Sequence, residues 1–302
     1  MNFYLSLLLD KIDNMSTEPV IFNPWNPKAK LITQEKVEKI LSSHEIPEKI
    51  SDLKLYQRAF IHKSYIKKSL DLANEYENDI EPKPTNCLDL QPNSYERLEY
   101  LGDAILSATI ASYLFERFPD ADEGFLTRMR TKLVNGEMLG SLGQKMKLDE
   151  HIVISQQVLE KNNFEVSYKL VEDIFEAFIG ALFLDFNEEE LEHPRLEFYS
   201  GLGFQICQTY IINVIEKYVD FAELILNDYN YKDKLMKYFQ RNNREILKYK
   251  DIVVEGNGPQ KTYTVCVTRG DESVLAYGKG PSKKKAEQCA SKNALQKLDL
   301  LD

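Results

Sequence analysis

The hydrophobic period changes once along this chain, and that change limits the fold more than any other feature. From Thr33 to about Ser64, and again from Tyr95 to about Asp185, apolar residues recur at helical spacing. A further helical stretch, roughly Phe204–Asp220, leads to a linker near Leu226–Asn230. Beyond it, "YKDKLMKYFQRN" (231–242) reads as an amphipathic helix. "YKDIVVEG" (249–256), "KTYTVCVTRG" (261–270) and "SVLAYGKG" (273–280) read as strands. "SKKKAEQCASKNALQKL" (282–298) reads as a helix capped by Ser282. The pattern predicts an all-α body followed by a small α-β-β-β-α unit.

Composition shifts at the same place. The 302 residues carry a net charge of −10, yet residues 229–302 hold 15 Lys and Arg against 9 Asp and Glu, leaving −16 for residues 1–228. A basic tail on an acidic body fits a nucleic-acid-binding module joined to something else. No apolar run approaches the ~20 residues that span a bilayer, so no membrane association is expected. Cys87, Cys207, Cys266 and Cys289 are scattered without CxxC pairing. That argues against zinc and a disulfide framework, and for a reducing compartment, the cytoplasm. Residues 1–34, with Pro19, Pro24 and Pro27, read as a loosely ordered N-terminal extension. Residues 70–94 are acidic, hold three prolines and read as an exposed insertion, and 187–203 read as a second insertion. The domains are then 35–226, all helical, and 229–302.

"ERLEYLGDA" (96–104) poses the chemical question. Glu99 and Asp103 are four apart, one above the other on a helix face that continues into Leu106 and Ile110. Asp173 and Glu176 repeat the arrangement on a stripe with Ala177, Gly180 and Leu184. At an effective dielectric of ~20, two unit charges ~4 Å apart repel by about 4 kcal/mol. Four carboxylates on partly dry faces are therefore protonated in part, or neutralised by a divalent cation. Oxygen-only ligands favour Mg²⁺ or Mn²⁺ over zinc. Asn93, three residues before Glu96, has the form of a capping box.

"ERLEYLGDAIL" resembles the ribonuclease III signature. "AFIHKSY" (59–65), "FPDADEGFLTRMRTKLVNGEMLG" (118–140) and "EDIFEAFIGALFLD" (172–185) are similar to further motifs of that family, in the same order. The tail resembles a double-stranded-RNA-binding domain, above all in "GKGPSKKKAEQCASKNAL" (278–295). The likeness covers about 36–186 and 229–299. It implies an all-α ribonuclease III catalytic domain and a Mg²⁺-dependent endoribonuclease (Mn²⁺ as substitute) that hydrolyses double-stranded RNA to 5′-phosphate and 3′-hydroxyl ends. Glu99, Asp103, Asp173 and Glu176 would be metal ligands, with Asp103 and Glu176 catalytic. Glu96 and Glu123 would be auxiliary acids, each with a plain alternative as a helix-start residue. Lys283, Lys284 and Lys285 would contact RNA phosphates. The family acts as a homodimer, and Tyr100 stands where the family places a Phe that plugs the partner. "GNGPQKTY" (256–263) lacks the histidine usual in that loop. His62 matches a structural histidine, while His44, His151 and His193 are expected at the surface. The competing reading is a protein that sequesters double-stranded RNA with weak or no cleavage. Loss of one of the four acids would favour it, and all four are present.

Overall fold

The computed structural model describes residues 23–46, 49–67, 81–187, 202–226, 230–242, 246–256, 261–270 and 273–301. The chain divides into two compact units between Asp220 and Phe221.

In the first unit, α1 (Gln34–Ser42) and α2 (Leu53–Ala59) precede the long α3 (Glu96–Arg117). Then come α4 (Glu123–Leu133), α5 (Gly136–Lys145), the short α6 (Gln156–Lys161), α7 (Tyr168–Asp185) and α8 (Gly203–Tyr218). The stripe read from the sequence of α7 understates it. Leu170, Val171, Ile174, Phe175, Ala177, Phe178, Ile179, Ala181 and Leu182 are all buried, so apolar residues surround the helix and α2, α3, α5 and α8 pack around it. Phe178 sits at its centre, 5.4 Å from the Tyr56 ring and 5.7 Å from Tyr210. At the far end of α7 the buried Asp185 accepts from the amides of Ser51 and Asp52 and from the Tyr56 hydroxyl. That acid is fully occupied in holding α2 to α7.

Three expectations need correction. Residues 23–33 are packed rather than loose. Trp25, Ala29, Ile61, Tyr65, Cys87, Leu90 and Val153 form one cluster, Trp25 Nε1 donates to the Glu81 carbonyl and Asn26 Nδ2 to that of Ile154. The same cluster buries Cys87 and Leu90, so the described part of the acidic insertion, 81–94, contributes core as well as exposed surface. Residues 68–80 and most of the 187–203 insertion lie outside the described residues. His44 is buried: its Nδ1 lies 2.8 Å from the Ile40 carbonyl, its ring meets Tyr210 and Tyr218, and burial lowers its pKa. His151 is half-buried, edge-on to Phe60, and His193 lies outside the described residues.

The second unit contains α9 (Phe221–Leu226), α10 (Tyr231–Asn242), β1 (Lys248–Glu255), β2 (Thr262–Thr268), β3 (Val274–Gly280) and α11 (Lys283–Lys297). The strands form an antiparallel sheet in the order β1-β2-β3. Leu235 and Phe239 of α10, Val267 of β2 and Ala290, Ala294 and Leu295 of α11 make its core. A Cβ on Gly278 would fall 2.1 Å from the Ala290 amide, so only glycine lets β3 lie this close to α11. No described helix is long and apolar enough to cross a membrane.

Candidate metal centre and RNA-binding face

Close backbone contact builds the acidic site. Gly102 of α3 and Gly180 of α7 let the two helices touch without side chains between them, which carries Glu99 across to Asp173 and Glu176. Each of these three offers an oxygen, and the three oxygens lie within 4.8 Å of one another. Asp173 and Glu176 are buried, 8% and 6% exposed, while Glu99 is half-buried. Burial, with the charges of Asp103 and Glu172 beside it, pushes Glu176 up to about 8. Burial and Asp173 also raise Glu99. The arrangement is under electrostatic stress, which a bound cation relieves.

Asp103, the fourth predicted ligand, is exposed and outside the group of three, although its charge bears on Glu176. Glu96 turns outward to Lys63 at 3.4 Å and accepts from the Ser94 hydroxyl at 3.0 Å. The predicted Asn93 capping box does not form. Helix α3 begins at Glu96 with Tyr95, not Asn93, as its N-cap and with no side-chain cap; the Tyr95 amide donates to the Ile61 carbonyl. Glu123 is exposed in the first turn of α4 and accepts from the Thr127 hydroxyl, while Asp122 caps that helix. His62 accepts from the Ser64 amide, and burial lowers its pKa to about 4, in keeping with a structural role.

Three residues that sequence reasoning missed complete the site. The Lys169 ammonium lies 2.7 Å from Asp173 Oδ1 and 3.4 Å from Glu172 Oε2. It meets Asp173 Oδ1 by charge, outside hydrogen-bonding angles. Burial lowers its pKa, but the Asp173 and Glu172 carboxylates outweigh burial and raise it overall. Glu172, also on α7, adds a further carboxylate beside Gly136, where a Cβ would collide with it. The Tyr95 hydroxyl donates to Asp173 Oδ2 at 2.9 Å. The i, i+4 spacing of Lys169 and Asp173 was a visible signal; nothing local marks Tyr95. The donor set is carboxylate oxygen throughout, which fits a hard divalent cation and gives a soft metal no nitrogen or sulfur ligand.

In the second unit, Lys283, Lys284 and Lys285 are exposed at the start of α11, where Ser282 Oγ accepts from the Lys285 amide. The Lys283 ammonium pairs with Asp251 of β1 at 2.7 Å. Residues 257–260 of the "GNGPQKTY" loop lie outside the described residues. Tyr100 is 83% exposed on α3.

The Ribonuclease III domain family matches residues 96–187, and the Double-stranded RNA binding motif family matches 231–298. A probable ribonuclease 3 of Acanthamoeba polyphaga mimivirus is 30% identical over 95% of this chain, which spans 51% of that relative's length. A ribonuclease 3 of Zunongwangia profunda is 34% identical over 82% of this chain and 85% of its own. The ribonuclease 3 of Chlorobaculum tepidum is 34% identical over 69% of this chain and 70% of its own. The helix pair α3–α7 with its carboxylates falls in the first matched region and the α-β-β-β-α unit in the second, and the chain belongs to the ribonuclease III family of endoribonucleases.

Proposed function

We propose that this chain cleaves double-stranded RNA by Mg²⁺-dependent hydrolysis, leaving 5′-phosphate and 3′-hydroxyl ends in RNA processing or degradation. The observation that carries the reading is the meeting of Glu99, Asp173 and Glu176 from two helices in one partly buried place. When bound there, Mg²⁺ supplies charge neutralisation and a polarised water for attack on the phosphodiester. Glu99, Asp173 and Glu176 would hold the ion, with the exposed Asp103 as the fourth acid, its charge bearing on Glu176. Lys169 and Tyr95 both contact Asp173. Glu176, the most strongly perturbed of the three, is the acid on which cleavage depends most.

The basic unit binds the duplex by shape, through 2′-hydroxyls and phosphates across the wide minor groove of A-form RNA. Charge reversal at Lys284 and Lys285 in the full chain is expected to weaken duplex binding about tenfold or more. It should also flatten the dependence of log K on log salt by about one unit per lysine. Filter binding over a salt series reads both, and an unchanged slope would remove these lysines from the RNA contact.

Two subunits act together, each cutting one strand, with the exposed Tyr100 ring reaching into the partner. Light scattering should find a dimer, and Tyr100→Ala should shift it toward monomer. The free thiols, three of them buried, support a reducing compartment, the cytoplasm. The direct test uses a long duplex with Mg²⁺, with Ca²⁺ and with chelator. Internal cleavage with Mg²⁺ alone, to products whose 5′ ends ligate without added phosphate, is the expected result. Tight binding without cleavage in Mg²⁺ or Mn²⁺ would favour sequestration instead.

A further inference from the structure

We propose that Tyr95 is a positioning residue for the metal centre, tying two of its carboxylates, on two different helices, into one geometry. The inference rests on the reading of Glu99, Asp173 and Glu176 as that centre.

Tyr95 is 4% exposed and is used at three points. Its amide donates to the Ile61 carbonyl at 2.9 Å, which fixes where α3 begins. Its own carbonyl accepts from the amide of Glu99 at 3.0 Å and from that of Leu98 at 2.8 Å. Its hydroxyl crosses to α7 and meets Asp173 Oδ2 at 2.9 Å. The phenol O–H is the donor and the carboxylate oxygen the acceptor, a bond that crosses from one helix to the other. One residue thus holds the backbone of one ligand and the side chain of another. Its ring cannot follow a wandering Asp173, since it is packed 6.1 Å from the His62 ring and anchored through the peptide on both sides.

The consequence for Asp173 is orientational. Lys169 reaches Oδ1 from a lysine side chain that is 67% exposed, long and flexible. Tyr95 reaches Oδ2 from a rigid one. Without the hydroxyl, the carboxylate is free to rotate toward Lys169 and away from Glu99 and Glu176. A tyrosine that was buried only for its bulk would need some partner for its hydroxyl. Tyr210 is such a case, with its hydroxyl 3.5 Å from Met146 Sδ.

The test uses the full chain, stripped of metal, with Tyr95→Phe, which keeps the ring, and Tyr210→Phe as the control. Mn²⁺ binding is measured by electron paramagnetic resonance and duplex cleavage over a Mn²⁺ series. Tyr95→Phe is expected to weaken Mn²⁺ binding roughly 10- to 100-fold, as loss of an outer partner does. The metal concentration for half-maximal cleavage should shift by the same factor. Cleavage should recover at saturating Mn²⁺, with KM for RNA unchanged and thermal stability within a few degrees of wild type. Tyr210→Phe should leave Mn²⁺ affinity untouched. Equal Mn²⁺ affinity in wild type and Tyr95→Phe overturns the proposal. So does a loss of cleavage that excess Mn²⁺ fails to restore, which would make Tyr95 a packing residue. Failure of the wild type itself to bind Mn²⁺ removes the metal centre, and the proposal with it, a result distinct from either of these.

Discussion

Glu176→Gln is expected to abolish duplex cleavage while leaving the fold and RNA binding intact. The substitution keeps size and removes the carboxyl group that could ionise to meet a cation. It takes away the most buried carboxylate of the three, so the loss should exceed the ~10- to 100-fold typical of outer-shell changes. Binding is carried by the basic unit and should persist, so gel shifts in Ca²⁺ should match wild type. Cleavage equal to wild type would take Glu176 out of the mechanism.

The same residue sets a pH dependence of stability in metal-free protein. With its pKa at about 8, Glu176 keeps its proton in the folded state between roughly pH 4.5 and 8, where the unfolded chain has lost it. The folded state binds more protons there, so stability falls as pH rises, by at most about 1.4 kcal/mol per pH unit for a single proton. His62 acts in the opposite direction at lower pH. Its folded pKa of about 4 lies below the unfolded value, so stability is lost as pH falls from about 6.5. The two slopes offset one another between about pH 4.5 and 6.5, so thermal melts in chelator should be highest there and fall from about pH 6.5 to 8, the alkaline limb. Glu176→Gln should flatten the alkaline limb and uncover the His62-linked rise below about pH 6.5 that Glu176 otherwise offsets, and saturating Mg²⁺ should restore stability along the alkaline limb in the wild type. An alkaline limb unchanged by Glu176→Gln would show that another group carries it.

Much of this architecture was legible because it is periodic. The helices holding "ERLEYLGDA" and "EDIFEAFIGALFLD" and the three strands of the tail follow from spacing alone. What escaped was non-periodic. Trp25 and Asn26 lie in a proline-broken segment, and their burial depends on Glu81 and Ile154, which no local pattern links to them. His44 sits just past a helix end, where one polar residue gives no hint that two tyrosine rings enclose it. The Asn93 capping box does not form because the helix starts at Glu96 with Tyr95 as its N-cap, a residue whose amide is bonded to the distant Ile61 carbonyl. The acid site divides the same way. Glu99, Asp173 and Glu176 were readable as acids on apolar faces, but the hydroxyl that orients Asp173 comes from 78 residues away.

The largest structural effect should come from Gly102→Ala. A Cβ there would lie 1.8 Å from the Glu176 carbonyl oxygen, 2.7 Å from its carbonyl carbon and 2.9 Å from the Gly180 amide. These are backbone atoms of a helix buried on all sides, so no side chain can swing away. The reciprocal contact is as tight, since a Cβ on Gly180 would fall 2.2 Å from the Leu98 carbonyl oxygen. Ordinary contact requires α3 and α7 to separate by roughly 1.5–2 Å. Overpacking of this kind costs about 1–3 kcal/mol or more, which in a domain of this size lowers Tm by roughly 2–4 °C per kcal/mol. The separation also carries Glu99 away from Asp173 and Glu176, and displacement of ~1 Å at a catalytic centre can cost about 100-fold in rate. Gly124→Ala in α4 is the counterpart. Its nearest neighbour would be the movable Arg128 guanidinium at 3.3 Å, so there alanine's helix preference should win by about 0.5–1 kcal/mol. One substitution repeated at two helical glycines is thus expected to change Tm in opposite directions, and only the first should reduce cleavage. Retention of both Tm and cleavage in Gly102→Ala would mean that some contact other than the α3–α7 backbone approach holds the carboxylates together.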